Sequence, residues 1–221
     1  MTKAKTVLAN WKMNMTADDV RVWCESFCLA APMGVNTVVA PSFVHLPLVQ
    51  SLAHHIKLAA QDVAAFSKGA HTGEIGAFQL KDFCKYCIVG HSERKETTQT
   101  INQKIDQCLA NRIIPIVCFV TSDQAQRLHR DGVMFLWEDP ANISVNGVFK
   151  PKDPAQTAKE IEQIRRIVGH DVEIIYGGSV NRDNAMDIAQ IAGLNGVVTG
   201  SASLDPQHFL DIVMAFEVHQ V

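Results

Sequence analysis

Three residues of complementary chemistry each come directly after or at the end of an apolar run. Lys12 lies just past Thr6-Val7-Leu8-Ala9, within Asn10-Trp11-Lys12-Met13-Asn14. His91 follows Val89-Gly90 and is trailed by Ser92-Glu93-Arg94. Glu138 closes Met134-Phe135-Leu136-Trp137. A carboxylate can take a proton from carbon, and a neutral imidazole can donate a hydrogen bond to a carbonyl oxygen and shuttle a proton. A lysine can hold a phosphate or the developing charge of an enolate oxygen. Each residue alone has an ordinary explanation, since the chain has nine histidines and most loop lysines and carboxylates are simply solvated. Their common placement at strand ends gives them joint weight.

Two further turns add a place for an anion. Tyr176-Gly177-Gly178-Ser179-Val180 and Thr199-Gly200-Ser201-Ala202-Ser203 both follow apolar runs and lead into helical patterns. Small residues let backbone N–H groups approach an anion closely. A single Gly-Gly-Ser turn says little, but two on adjacent strand ends point to phosphate.

These residues need a scaffold that delivers several strand ends to one rim. Apolar runs at 5–9, 37–40, 56–60, 86–89, 113–118, 133–137, 172–176 and 196–199 read as strands. They are continuous rather than alternating, as expected for parallel strands covered on both faces. Helical patterns separate them. Thr16-Ala17-Asp18-Asp19 opens a helix to about residue 30, with Asp in place of the usual Glu or Gln of a capping box. Asp153-Pro154 and Asp205-Pro206 each set an N-cap acid before a first-turn proline, for helices reaching about residues 168 and 218. Eight strand–helix units predict an α/β fold, a closed (β/α)8 barrel forming one domain over residues 1–221. An open doubly wound sheet is the alternative, although a Gly-rich turn after the first strand would then be usual.

Composition narrows the function. Of 221 residues, 47% are hydrophobic and 19% charged, and the net charge is −3. Without a Lys/Arg cluster, nucleic acid is not an expected partner. No apolar stretch approaches the roughly 18 residues of a membrane span, and Met1–Lys5 lacks a secretory core. The six cysteines, Cys24, Cys28, Cys84, Cys87, Cys108 and Cys118, are scattered through the predicted elements. Reduced thiols in the cytoplasm fit better than a disulfide framework. Cys84-Lys85-Tyr86-Cys87 has no second pair at a zinc-site spacing.

With these motifs in hand, the chain resembles the triosephosphate isomerase family from Asn10 to Leu204. Asn10–Asn14, Gly69–Ile75, Gly90–Lys95, Tyr176–Val180 and Gly200–Leu204 match family motifs in the family's order. The resemblance implies a single-domain TIM barrel that interconverts dihydroxyacetone phosphate and D-glyceraldehyde 3-phosphate with no metal or organic cofactor. It implies Glu138 as base, His91 as electrophile and proton shuttle, Lys12 and Asn10 as stabilisers of the enediolate, and Glu93 as support. Phosphate would be held by N–H groups near Ser144, Ser179, Gly200 and Ser201. The loop around Thr72 would form a dimer contact near the partner's Asn10 and Lys12, with Glu74 and Arg94 as an ion pair. A homodimer is expected, with a tetramer as the other option among short members.

The chain also departs from the pattern. It is shorter than the roughly 250 residues usual for this fold, and the shortage concentrates between Cys118 and Glu138, where 122–130 is left for a helix. Phe119-Val120-Thr121 replaces a Gly-Glu turn, and Ser201 stands where a second glycine is common. The lid reads Glu138-Asp139-Pro140-Ala141-Asn142-Ile143-Ser144-Val145-Asn146-Gly147. Asp139 takes the place of a hinge proline and adds a negative charge beside the base. Ser144 takes that of a phosphate-binding glycine, and Val145-Asn146 replaces Thr-Gly. Weaker lid closure is expected. The lid also leaves open a phosphate-binding barrel without turnover, and fold alone leaves open another sugar-phosphate isomerase.

Overall fold

Parallel strands alternate with helices eight times along the chain. The computed structural model describes residues 4–28, 32–143 and 148–217. In chain order the elements are β1 (Thr6–Asn10), α1 (Ala17–Cys28), β2 (Asn36–Ala40), α2 (Leu46–Leu52), β3 (Lys57–Ala60), α3 (Ala77–Leu80), β4 (Tyr86–Val89) and α4 (Thr98–Ala110). They continue with β5 (Ile114–Phe119), α5 (Ser122–Leu128), β6 (Met134–Trp137), α6 (Pro154–Val168), β7 (Glu173–Tyr176), α7 (Ala185–Ala189), β8 (Gly196–Thr199) and α8 (Pro206–Phe216). Each strand pairs in parallel with the next, and β8 returns to β1. That last pairing closes a (β/α)8 TIM barrel and excludes the open sheet.

Local chemistry sets the helix starts. Thr16 and Asp19 close the expected capping box, with Thr16 N donating to Asp19 Oδ2 at 2.8 Å and Asp19 N to Thr16 Oγ1 at 3.2 Å. The shorter acid therefore reaches as well as Glu would. Asp153 and Asp205 cap α6 and α8 by accepting from Gln156 N and His208 N. The shortage read after Cys118 falls on α5, which has two turns and its own Thr121–Gln124 capping box.

Side chains along each strand point alternately into the barrel and out to the helices. Leu8, Val38, Ile88, Ile116, Leu136 and Ile175 belong to the layer that fills the interior. Val7, Ala9, Val39, Val89, Val117 and Phe135 pack outward with the helices. At the β1–β8 seam, Trp11, Trp23, Phe27 and Phe209 form an aromatic cluster joining β1, α1 and α8. Trp23 Nε1 donates to Ser203 O at 2.9 Å, which ties α1 to the turn after β8. At the opposite rim, buried Arg165 of α6 donates to the carbonyls of Gly193, Gly169, His170 and Val172. The N-terminal strand ends are thus fastened, and the C-terminal ends are left to form a cavity.

Gly196 controls the closure. It faces Thr6 across the seam, and a Cβ there would sit 1.8 Å from Thr6 O and 2.6 Å from its carbonyl carbon. Those are backbone atoms of a paired strand and cannot move aside. Gly196→Ala is expected to cost about 3 kcal/mol or more, a fall of about 6–12 °C in Tm for a chain of this size. Thermal unfolding followed by circular dichroism checks this. An unchanged Tm would mean the seam does not need a glycine.

Candidate active site

Asn10, Lys12, His91, Glu138, Ser179, Gly200 and Ser201 all line one cavity of about 200 Å3 at the C-terminal rim. That is below the roughly 300–1,000 Å3 typical of drug-sized ligands and suits a metabolite of a few carbons. Five strands deliver the chemistry: β1 carries Asn10 and Lys12, β4 His91, β6 Glu138, β7 the Ser179 turn and β8 the Gly200 turn.

Glu138 is held from both sides of its strand. Its N–H donates to Phe119 O at 3.1 Å, and Gly177 N donates to Trp137 O at 2.9 Å. The residue is only 8% exposed. Oε1 lies 3.5 Å from His91 Nε2, the outer limit of hydrogen bonding. Oε2 is buried and has no hydrogen-bond partner among the described residues. Gly177 makes room for this arrangement, because a Cβ there would meet Val198 Cγ1 at 2.6 Å and Glu138 Oε1 at 3.2 Å. The Gly-Gly pair was read from sequence as a phosphate turn. Gly177 lines the cavity and also has a steric role beside the carboxylate, and Gly178 clears the ring of Tyr176.

His91 is equally buried and caps the 3-10 turn Ser92–Arg94. Its Nδ1 accepts from Glu93 N at 3.3 Å. An imidazolium has no lone pair to accept with, so this bond assigns a neutral ring with its proton on Nε2. The Glu93 carboxylate also lies 3.6 Å from Nδ1, but it is directed to Lys12, and the backbone bond decides the tautomer. The Nε2–H then serves the side where Glu138 lies.

Lys12 sits in the left-handed region, with φ 50°, at a cost of about 1–3 kcal/mol for such a residue. Three bonds hold it there. Lys12 N donates to Asn10 Oδ1 at 3.1 Å, and Lys12 O accepts from Gln61 Nε2 at 2.9 Å and Ser42 Oγ at 3.1 Å. Gln61 and Ser42 were missed in the sequence. Gln61 is the first residue after β3, so the strand-end rule that found His91 applied to it equally. Lys12 Nζ pairs with Glu93 Oε1 at 2.6 Å. Desolvation would raise the Glu93 carboxyl, but the Lys12 hydrogen bond and charge outweigh it and hold the group below the usual carboxylate range.

Ser179, with φ 51°, bridges the two legs of the loop between β6 and α6. Its Oγ donates to Asn142 O at 2.7 Å and accepts from Lys150 N at 2.9 Å. Gly200 and Ser201 start a 3-10 turn, whose first N–H groups have no partner inside the turn. Ser144 lies outside the described residues, as does the 144–147 stretch on which weaker lid closure was expected. Thr72 and Glu74 are exposed on the loop after β3. Arg94 pairs with Asp62 at 2.5 Å within this chain. The Cys84 and Cys87 thiols are buried and pushed up by desolvation, Cys84 to about 12, which leaves them protonated and unreactive.

Comparison with known proteins covers nearly the whole chain. A family model described as triosephosphate isomerase matches residues 5–134 and 121–216, the two matches overlapping across the short α5. The triosephosphate isomerase of Dehalococcoides mccartyi is 31% identical over 93% of this chain and 94% of that protein. That of Mesomycoplasma hyopneumoniae is 31% identical over 95% and 98%, respectively. That of Polynucleobacter asymbioticus is 30% identical over 95% and 98%.

The Lys12–Glu93 pair has a titration signature. Because the folded value of Glu93 lies below its ordinary one, the pair stabilises the fold above about pH 4.3. That contribution is lost as pH falls through the lowered value. Carbon NMR of the Glu93 carboxyl is expected to give a midpoint below about 4.3, moving upward in Lys12→Met. A midpoint that Lys12→Met leaves in place would contradict the pairing.

Proposed function

The chain belongs to the triosephosphate isomerase family, and on that premise we propose how its residues divide the work of interconverting dihydroxyacetone phosphate and D-glyceraldehyde 3-phosphate. The reaction moves one proton between adjacent carbons and another between their oxygens. Glu138 takes the proton from carbon with its carboxylate and returns it to the neighbouring carbon. His91, neutral and carrying its proton on Nε2, donates to the carbonyl oxygen and passes protons between the two oxygens. Lys12, positioned by Asn10, neutralises the enediolate, and Glu93 orients Lys12. The substrate phosphate sits against Ser179, Gly200 and Ser201, with Ser144 as a further donor. Water exclusion matters because an exposed enediolate phosphate can eliminate its phosphate.

One observation carries this division. Glu138 and His91 line the same small cavity, with Glu138 Oε1 3.5 Å from His91 Nε2, so base and electrophile address one space from β6 and β4. A coupled assay starting from glyceraldehyde 3-phosphate tests it. Glu138→Gln is expected to lose about 10³-fold in kcat and His91→Gln about 10²-fold or more, magnitudes usual for losing a general acid or base. Both should retain the native circular dichroism spectrum. Wild-type turnover in both folded variants would sink the assignment.

We further propose a homodimer, with a tetramer as the larger alternative, and a reducing cytoplasmic setting. The dimer reading is supported by Met13, 93% exposed beside Lys12, and by exposed Phe66 on the loop that carries Thr72. Thr72 would approach Asn10 and Lys12 of the partner subunit, and Glu74 would share Arg94 of the partner subunit with Asp62. Six free cysteines, five of them buried, support the reducing setting. No helix among the described residues is long and apolar enough to cross a membrane. Sedimentation at micromolar concentration is expected to give at least twice the 24.3 kDa chain mass, and Thr72→Arg to shift it downward. A 24.3 kDa species at all concentrations would contradict the dimer.

A further inference from the structure

Asp139, the residue after the base, does not stand as an unmatched negative charge. Its Oδ2 pairs with Lys152 Nζ at 2.6 Å, and its Oδ1 accepts from Ala141 N at 3.0 Å. Lys152 lies on the other leg of the same loop, just before α6. Its ammonium also pairs with Glu160 of α6 at 2.5 Å and sits over the Trp137 ring, 5.0 Å from the centroid. Trp137 is the residue before the base, and it packs in turn on Tyr176. The Lys152 side chain is 8% exposed, so this is an enclosed cluster and not one of the surface pairs that contribute little. One ammonium thus grips the residues on both sides of Glu138 and ties them to α6.

We propose that Lys152 is a positioning residue for the isomerisation, fixing the Glu138 carboxylate through Asp139 and Trp137 and cancelling the charge that Asp139 places beside it. The inference rests on Glu138 acting as the base. Several features converge on the clamp. Asp139 is bound at both carboxylate oxygens, so its orientation is determined. The next acid on the helix, Glu160, is itself steadied by Gln156 Nε2 at 3.2 Å. Desolvation would pull the lysine down, but its bonds to Asp139 and Glu160 outweigh that and raise it. Desolvation would likewise raise Asp139, but its bonds to Lys152 and Ala141 N–H hold it lowered. Both groups therefore stay charged across the neutral range. An aspartate in the place of a hinge proline acquires a function in this way. Where proline stiffens the chain by its ring, Asp139 is fixed by an ion pair across the loop.

Steady-state kinetics separate positioning from general support. Lys152→Met is expected to lower kcat about tenfold or more, since small misplacements of a reacting group are costly. The KM for glyceraldehyde 3-phosphate and the inhibition by inorganic phosphate should stay within about twofold, because the phosphate contacts are untouched. Lys152→Arg, which keeps the charge, should recover most of the loss. Asp139→Asn should lower kcat by about threefold or more, and it carries the test if Lys152→Met does not fold. Wild-type kcat in folded Lys152→Met or in Asp139→Asn would overturn the proposal, as would a Lys152→Arg enzyme as slow as Lys152→Met. If Glu138→Gln is inactive while Lys152→Met is normal, only this inference fails. If Glu138→Gln is fully active, the assignment of the base fails first.

Discussion

Closure of the sheet between β8 and β1 is the constraint on which the rest depends. The register Thr6↔Gly196 through Ala9↔Thr199 brings the first strand's end beside the last strand's end. Lys12 and Gly200, far apart in sequence, then line the same cavity. The seam requires Gly196, since Thr6 O already occupies the space of a Cβ. It is reinforced by the aromatic cluster around Trp23 and by the Trp23–Ser203 bond. An open sheet with the same eight strands would leave cation and phosphate turn on opposite edges.

The rim built by closure combines firm backbone with exposed chemical groups. Glu138 is held by Phe119 O on one side and the Asp139–Lys152 pair on the other. Lys12 is kept left-handed by Asn10, Gln61 and Ser42, contributed by three neighbouring strands or the loops after them. His91 is locked through Nδ1 by the turn it caps. In each case hydrogen bonds or ion pairs within the protein fix a residue that lines the cavity. Hydrogen bonds and ion pairs set up before substrate arrives need not be reorganised during reaction.

Much of this was legible in the sequence, for physical reasons. Parallel strands covered on both faces write themselves as apolar runs, so β4 and β8 were found to the residue, four others within one residue at their start, and β1 and β5 shifted by one residue at both ends. Caps are local, which made Thr16, Asp153 and Asp205 readable. The catalytic candidates are polar residues immediately past such runs. What stayed hidden were pairings set by three-dimensional neighbours. Lys152 is thirteen positions from Asp139 and meets it because the loop folds back on α6, so Asp139 read as an unbalanced charge. The steric role of Gly177 was hidden because the crowding of Glu138 against Val198 exists only once β6, β7 and β8 are side by side. Gln61 carries no signal by type, and only its strand-end position marks it.

The account comes down to proton transfer by Glu138 within a site that His91 and Lys12 complete. The most direct measurement is exchange of the substrate's transferable carbon-bound proton with deuterium oxide, followed by proton NMR and separate from net isomerisation. The account predicts exchange in the wild-type enzyme and its loss in Glu138→Gln, together with turnover. Exchange that persists in folded Glu138→Gln at the wild-type rate would show that another group removes the proton, and would contradict the account.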